Sequence, residues 1–521
     1  MADLSRTMYD LLTDADDNVL ALLIGGQCYT FAQLKQSVAM IATGLQRDVK
    51  LEHGQRVVLY GPKTALQVMA MFAVWQCGGV VVIAHQGLKA AQLAHIMADS
   101  GAQVLITSPA RWSQLAAEPA FHTDQVSQLI VEQSTSSLPE DAHVLKDWVE
   151  ALDGPSAVTR CQQNDLAVLM YTSGSTGLPK GVMLTHKNLW LGADSVASYL
   201  QLTPQDRILA LLPFSFDYGL NQLLSAWRVG ASVVLHNYLL AKAVFNDVAK
   251  HGVTGLAGVP PLWYQLLKET LEPNLGLRFV TNSGGALTTS LIELLSEKFP
   301  QAQIFAMYGL TEAFRSSYLA PQKISEKPLS VGKAIPYARL LVLDEQQQVC
   351  PPGVVGELVH SGELVAQGYW GQPDLSAQRF AKLPEPLAKG GDERAVWSGD
   401  LAYMDDDGDL FIVGRQDQQI KTSGYRVSPQ EVEAIAEALP DVGAAACLAV
   451  DDLELGQAIA LFIEANPVHR DKLQAAYRAN SANHLWPKYF AVVPQLPLTA
   501  NGKLDRQYVK ENWLYDLTNK N

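Results

Sequence analysis

The sequence predicts an α/β protein with a β-rich stretch late in the chain and a compact α+β tail. Three observations point there. Short apolar runs alternate with longer amphipathic segments up to about residue 340, the pattern of strands joined by helices. Beyond that point, short strands are separated by turn residues such as Asp405-Asp406-Asp407-Gly408. After Arg415 a helical period and an apolar strand return, so residues 414–421 are a candidate domain boundary.

The elements follow in order. Residues 56–61 (RVVLYG) read as a strand, 64–77 as a helix and 80–84 as a strand. The apolar stretch 68–84 is interrupted by Gln76, Gly78 and Gly79, so it reads as a buried helix and strand, not as a membrane span. Residues 103–107 and 128–132 continue the strand series, and the more polar 133–165 read as a connector. A strand at 166–172 runs into a Ser/Thr/Gly segment. Strands follow at 207–212, 232–235 and 277–281, with helices between them. Residues 342–343, 356–360 and 410–413 are the short strands of the β-rich stretch, and the tail has a helix at 429–439 and a strand near 445–450.

With 521 residues, 48% of them hydrophobic, the chain can bury more than one core. A net charge of −14 argues against a nucleic-acid partner, which needs a concentrated basic surface. Met1-Ala2-Asp3-Leu4 has neither the basic nor the apolar region of a signal peptide, so a cytoplasmic protein without membrane insertion is expected. The widely spaced Cys28, Cys77, Cys161, Cys350 and Cys447 contain no C-x-x-C and are expected as reduced thiols.

Four segments carry chemistry. In Tyr171-Thr172-Ser173-Gly174-Ser175-Thr176-Gly177-Leu178-Pro179-Lys180-Gly181, small residues leave backbone N–H groups free to face an anion, and Lys180 adds charge. It is a phosphate cradle by composition but not a P-loop, because Gly181 follows the lysine. In Met307-Tyr308-Gly309-Leu310-Thr311-Glu312 a tyrosine can stack on a base, a hydroxyl can bond a phosphate, and a carboxylate can hold Mg²⁺. Asp400, in Trp397-Ser398-Gly399-Asp400, can accept from two vicinal ribose hydroxyls, and Arg415 and Arg426 can reach ribose or phosphate. Asn501-Gly502 is a turn that projects Lys503.

Together and in this order, these motifs resemble the adenylate-forming superfamily of acyl-CoA synthetases, amino-acid adenylation domains and firefly luciferase, over about residues 29–508. Pro213 to Asn221 (PFSFDYGLN), Thr311 to Arg315 (TEAFR) and Ile420 to Arg426 (IKTSGYR) resemble exosortase-A-associated AMP-ligases, and the first also stand-alone prolyl-AMP ligases. The resemblance implies a large N-terminal domain, residues 1–415, of two doubly wound α/β subdomains plus a β-rich subdomain. It implies a small mobile α+β lid, residues 416–521, hinged at Asp417. ATP and Mg²⁺ would be used, with Glu312 on the metal. Lys503 would lie between the substrate carboxylate and the α-phosphate, and Thr311 would bond that phosphate. Lys180 and the cradle would hold the leaving pyrophosphate. Tyr308 would pack on adenine beside Gly284-Gly285-Ala286, and Asp400 would hold the ribose. A thiol would enter past Phe216 and Gly424.

The same resemblance lines the acyl pocket with Asp217, Tyr218, Asn221, Gly258, Ser283, Met307, Arg315 and Ser316. Asp217 falls where amino-acid adenylation domains hold the substrate ammonium. Arg315 could pair with Asp217 instead, since a lone buried charge is costly, or bind a polar or acidic group of the substrate. The expected reaction is AMP-forming activation of a small polar or amino acid and transfer to a thiol. Free coenzyme A and the phosphopantetheine of a separate carrier protein are both open as acceptor, with the resemblance tilting towards the carrier. The alternatives are a fatty or hydroxy acyl-CoA synthetase, a luciferase-type oxidoreductase and a non-catalytic nucleotide binder.

Overall fold

The structure is a computed structural model. It describes residues 5–121, 123–134, 138–139, 142–173, 179–269, 275–388, 393–418, 420–422, 425–452, 455–481, 483–499 and 501–519. Three sheets organise these residues.

In the first sheet, Arg56–Tyr60, Val80–Ala84, Val104–Thr107, Gln128–Val131 and Leu166–Ser173 run parallel. The helix Ala65–Gln76 links the first two of them and is apolar on every side, so it is buried at every position except Gln67. Thr64 caps it by accepting from the Gln67 N–H at 3.1 Å. Pro179–Thr185 closes the sheet antiparallel to Leu166–Ser173. The phosphate-cradle segment therefore joins two strands of a hairpin rather than opening a helix.

The segment 133–165 is more than a connector. His143–Val144 adds a strand to the sheet edge, and Leu145–Glu150 is a helix. One tryptophan anchors it. Trp148 seats its indole where a Cβ on Gly44 would come within 2.3 Å, and it donates to Asp48 Oδ2 at 2.7 Å.

The second sheet has a parallel half, made of Leu20–Ile24, Ser232–Leu235, Arg207–Ala210, Gly255–Gly258, Phe279–Asn282 and Gln303–Tyr308. Its edge continues antiparallel through Ser317–Tyr318 and Ser330–Ala334 into Leu410–Arg415, Ala395–Met404, Gly356–Gly362 and Ala338–Leu343. The β-rich part is thus hydrogen-bonded onto the parallel half and begins before residue 340. The strand expected at 207–212 ends at Ala210, because the carbonyls of Ala210, Leu211 and Leu212 accept from Lys63 Nζ at 2.7, 2.7 and 3.0 Å.

The third sheet, Ile420–Thr422, Tyr425–Val427, Ala445–Asp452, Gly456–Glu464 and Tyr489–Val493, pairs with neither of the others. It has its own core of Ile420, Val432, Leu461, Tyr477 and Phe490. Among the described residues no helix is long and apolar enough to cross a membrane.

Candidate active site

The site lies at the carboxyl ends of the parallel strands of the second sheet, where loops carry ligands in open α/β sheets. Gln303–Tyr308 ends there, and a 3₁₀ turn, Thr311–Ala313, follows. The chain then reverses at Phe314, which holds φ at 55°. A left-handed conformation costs a non-glycine residue on the order of 1 kcal/mol. Burial of the Phe314 ring offsets it. Gly192 makes the room, since a Cβ there would stand 2.2 Å from that ring. The reversal sends Arg315 back under the turn.

There Arg315 Nη1 donates to Asp217 Oδ2 at 3.0 Å, with both side chains 4% exposed. Asp217 opens the helix Asp217–Trp227, where a carboxylate faces the positive end of the dipole. That helix packs closely, for a Cβ on Gly219 would meet the Pro213 carbonyl oxygen at 2.0 Å. Thr311 Oγ1 reaches the other Asp217 oxygen at 3.4 Å. Of the two readings of Asp217 that the residues allow, the structure contains the internal ion pair.

Lys503 arrives from the tail. Gly502 at φ +75° closes its turn, and the Lys503 N–H donates to Thr499 Oγ1 at 3.2 Å. Nζ lies 4.7 Å from the centre of the Phe216 ring, and a Cβ on Gly284 would come within 3.1 Å of Cε. Burial holds the ammonium below the usual lysine range. The charges of Asp217, Glu312 and Asp400 oppose that shift, and Arg315 adds to it. The lysine, the aspartate and the Thr311–Glu312 turn therefore share one site, with the tail oriented to deliver Lys503 into it.

Around it stand the groups read as nucleotide-binding. Tyr308 donates its hydroxyl to Asp400 Oδ2, and Arg415 Nη1 meets Asp400 Oδ1 at 3.3 Å. Burial raises the Asp400 carboxyl, against the pull of Tyr308 and Arg415. Asn282 Nδ2 donates to the Gly285 carbonyl at 3.1 Å and fixes the loop that carries Gly284, Gly285 and Ala286. Glu312 Oε1 accepts from the Tyr369 hydroxyl at 2.7 Å, and Lys180 Nζ lies 5.9 Å from the centre of the same ring. Tyr369 thus ties the lysine side of the cradle to the carboxylate. It is absent from the motif reading, and an aromatic pair between glycines, Gly368-Tyr369-Trp370-Gly371, was its one signal.

Tyr218, Asn221, Met307 and Arg315 line one cavity of about 30 Å³, with Tyr199 and Thr281. Gly258 packs against Trp263, whose indole a Cβ would approach to 2.7 Å. Ser283 is buried, and Ser316 is turned away to bond His360 Nδ1 at 2.9 Å. A second cavity of about 270 Å³ opens beside Lys503, between Lys63, Phe214, Ser215, Asn237, Gln265 and the turn residue Thr499. Thr172 is half-buried on its strand. Gly174, Ser175, Thr176, Gly177 and Gly424, and the side chains of Ser173, Asp417 and Arg426, lie outside the described residues.

Residues 14–370 match the family described as AMP-binding enzyme, and 431–503 match the AMP-binding enzyme C-terminal domain. The chain is 28% identical over 526 residues to tyrocidine synthase 3 of Brevibacillus parabrevis, covering 99% of this chain but 8% of that protein. It is 30% identical over 499 residues to feruloyl-CoA synthase of an Amycolatopsis species, covering 94% of this chain and 95% of that one. The o-succinylbenzoate coenzyme A synthetase of Bacillus subtilis, solved with its acyl-adenylate intermediate, superposes with a TM-score of 0.82 at 25% identity, covering 97% and 98% of the two chains. The same synthetase solved with ATP and magnesium gives 0.81 at 25% identity, covering 97% and 100%.

Proposed function

The chain belongs to the AMP-binding enzyme family of the adenylate-forming superfamily and is an AMP-forming acid–thiol ligase, and from that premise we propose that it activates a small polar or amino acid with ATP and passes the acyl group to a carrier-protein phosphopantetheine in the cytoplasm. The observation that carries this reading is Lys503. A cation brought by the tail into a site already holding Asp217, Glu312 and Arg315 answers the first problem of the chemistry, which is that carboxylate and α-phosphate repel each other.

The division of labour follows from the positions. Lys503 counters both anions. Thr311, on the 3₁₀ turn, offers a hydroxyl to the α-phosphate. Lys180, with the Ser/Thr/Gly segment before it, serves the pyrophosphate. Asp400, already oriented by Tyr308 and Arg415, takes the ribose, and the Gly284–Ala286 loop with Tyr308 borders the adenine. Glu312 suits Mg²⁺: its carboxylate offers hard oxygen, and one of its oxygens is fixed by Tyr369. When bound, the metal neutralises phosphate charge and orients the leaving group.

The second half-reaction needs a way in for a thiol. The cavity beside Phe214 is lined by the side chains of Gln265 and Asn501 and by apolar Val259 and Leu262, which suits an amide-bearing pantetheine arm. Residues 416–521 act as a lid that swings about Asp417, showing Lys503 for adenylation and the Gly424 region for transfer. A second reading has free coenzyme A as the thiol. Its support is feruloyl-CoA synthase, matched over 95% of its length, whereas the chain spans only 8% of tyrocidine synthase 3.

Acid-dependent ATP–pyrophosphate exchange over a panel of amino, hydroxy, aromatic and fatty acids tests the first half. Exchange is expected with small polar or amino acids, and acyl transfer to a phosphopantetheinylated carrier is expected to outpace transfer to coenzyme A. Exchange confined to long fatty acids would overturn the substrate reading, and transfer to coenzyme A alone the acceptor reading.

A further inference from the structure

The acyl cavity is small and its floor is polar in an unusual way. Among the described residues several side-chain atoms of the cavity have no partner: Asn221 is 2% exposed, and neither its amide oxygen nor its amide nitrogen is bonded there. Gln222, next along the helix and also lining the cavity, has both amide atoms unpaired too. Arg315 spends Nη1 on Asp217, while its Nη2 has none. Tyr218 and Thr281, by contrast, satisfy each other through their hydroxyls. A buried amide left without partners costs on the order of 1–3 kcal/mol per group. Native interiors keep such groups for water or for a ligand.

The volume, about 30 Å³, holds one or two waters. A benzene ring occupies a cavity of roughly 150 Å³, so no aromatic acid fits without rearrangement. Walls set the limit. Tyr199 and Met307, both lining the cavity, are tied together by a bond from the Tyr199 hydroxyl to Met307 Sδ at 3.0 Å, and Leu256 and Phe279 close it with apolar surface. The charges are already balanced, because Asp217 and Arg315 neutralise one another. A further net charge at the floor would be buried without a counter-ion.

We propose that the acid is short and carries an uncharged hydroxyl or carboxamide that reaches the side-chain amide of Asn221. The inference rests on the adenylation reading and specifies its substrate. An aliphatic acyl group would leave those donors and acceptors bare. A hydroxyl or carboxamide can bond them. Discrimination of this kind is steep, since a site built to bond a polar group rejects the analogue that lacks it.

The test uses isosteric pairs in pyrophosphate exchange with the full chain: threonine against valine, asparagine against leucine, and 3-hydroxybutyrate against 3-methylbutyrate, with benzoate added. The polar member of at least one pair is expected to win by about 10²-fold or more in kcat/KM. Asn221→Leu is expected to bring that ratio to about 1 or to reverse it, as its new apolar wall meets the methyl group. Exchange with any acid upholds adenylation, whichever acid wins. Faster exchange with the apolar members or with benzoate, in the unaltered protein, overturns the inference and leaves adenylation standing. An unchanged ratio in Asn221→Leu overturns the role of Asn221. Exchange with no acid at all overturns adenylation and this inference with it.

Discussion

Removing Arg315 isolates the energetics on which the acyl pocket is built. Its guanidinium lies 3.0 Å from Asp217 Oδ2, with both side chains 4% exposed, and it stacks 4.9 Å from the centre of the Tyr218 ring. In Arg315→Met the aspartate stays buried, with Thr311 at 3.4 Å and the more distant charge of Lys503 for compensation. Breaking one side of a buried pair costs about 3–5 kcal/mol, because the surviving charge is stranded. Loss of the cation–π contact adds about 1 kcal/mol. Asp217→Asn strands the guanidinium in the same way. The double variant, Asp217→Asn with Arg315→Met, strands neither charge. It is expected to be more stable than the sum of the singles by 2 kcal/mol or more, on the order found for coupled contacting residues. Urea unfolding followed by tryptophan fluorescence reads all four proteins. Strictly additive losses, or singles costing less than about 1 kcal/mol, would refute the claim that these charges depend on each other.

Other expectations follow from packing and burial. Gly192→Ala places a Cβ 2.2 Å from the Phe314 ring. It should cost about 1–3 kcal/mol in urea unfolding and slow pyrophosphate exchange, because the Thr311–Glu312 turn hangs on that ring. His186 and His360 are fully buried, and burial lowers them from 6.5 to about 4 and about 3. Below pH 6.5 the unfolded chain takes up protons that the folded chain refuses, so their contribution is intact above that pH and is lost as pH falls towards about 4 for His186 and about 3 for His360. At pH 5 each is expected to cost about 2 kcal/mol, seen as a lower urea midpoint than at pH 7 and partly relieved in His360→Asn.

What the sequence made legible differs from element to element. Val80–Ala84 and Ser232–Leu235 have the predicted bounds because consecutive apolar β-branched residues fit a strand buried on both faces. The helix Leu145–Glu150 was hidden because it is six residues long with one buried side chain, Trp148, set into a gap left by Gly44, too short a run to show a helical period. Motif chemistry singled out Lys503, Glu312, Thr311 and Asp400, and the fold brings Lys503 within electrostatic reach of Asp217, Arg315, Glu312 and Asp400 and Thr311 against Asp217. Long-range pairings were out of reach. Nothing near Glu312 in sequence announces Tyr369, and nothing in Gly61-Pro62-Lys63 announces three carbonyl acceptors from another sheet. The Asp217–Arg315 contact also lay beyond the sequence, because it depends on the positive φ at Phe314 that folds Arg315 back.

The most direct measurement separates the two half-reactions in Lys503→Ala. Pyrophosphate exchange reports adenylation, and acyl transfer from a supplied acyl-adenylate to the thiol acceptor reports the second step. A lysine that neutralises carboxylate and α-phosphate only while the adenylate forms should cost roughly 10²–10³-fold in the first assay, as loss of a preorganised charge-stabilising donor does, and leave the second near the unaltered rate. Equal losses in both assays, or none in the first, would contradict the account.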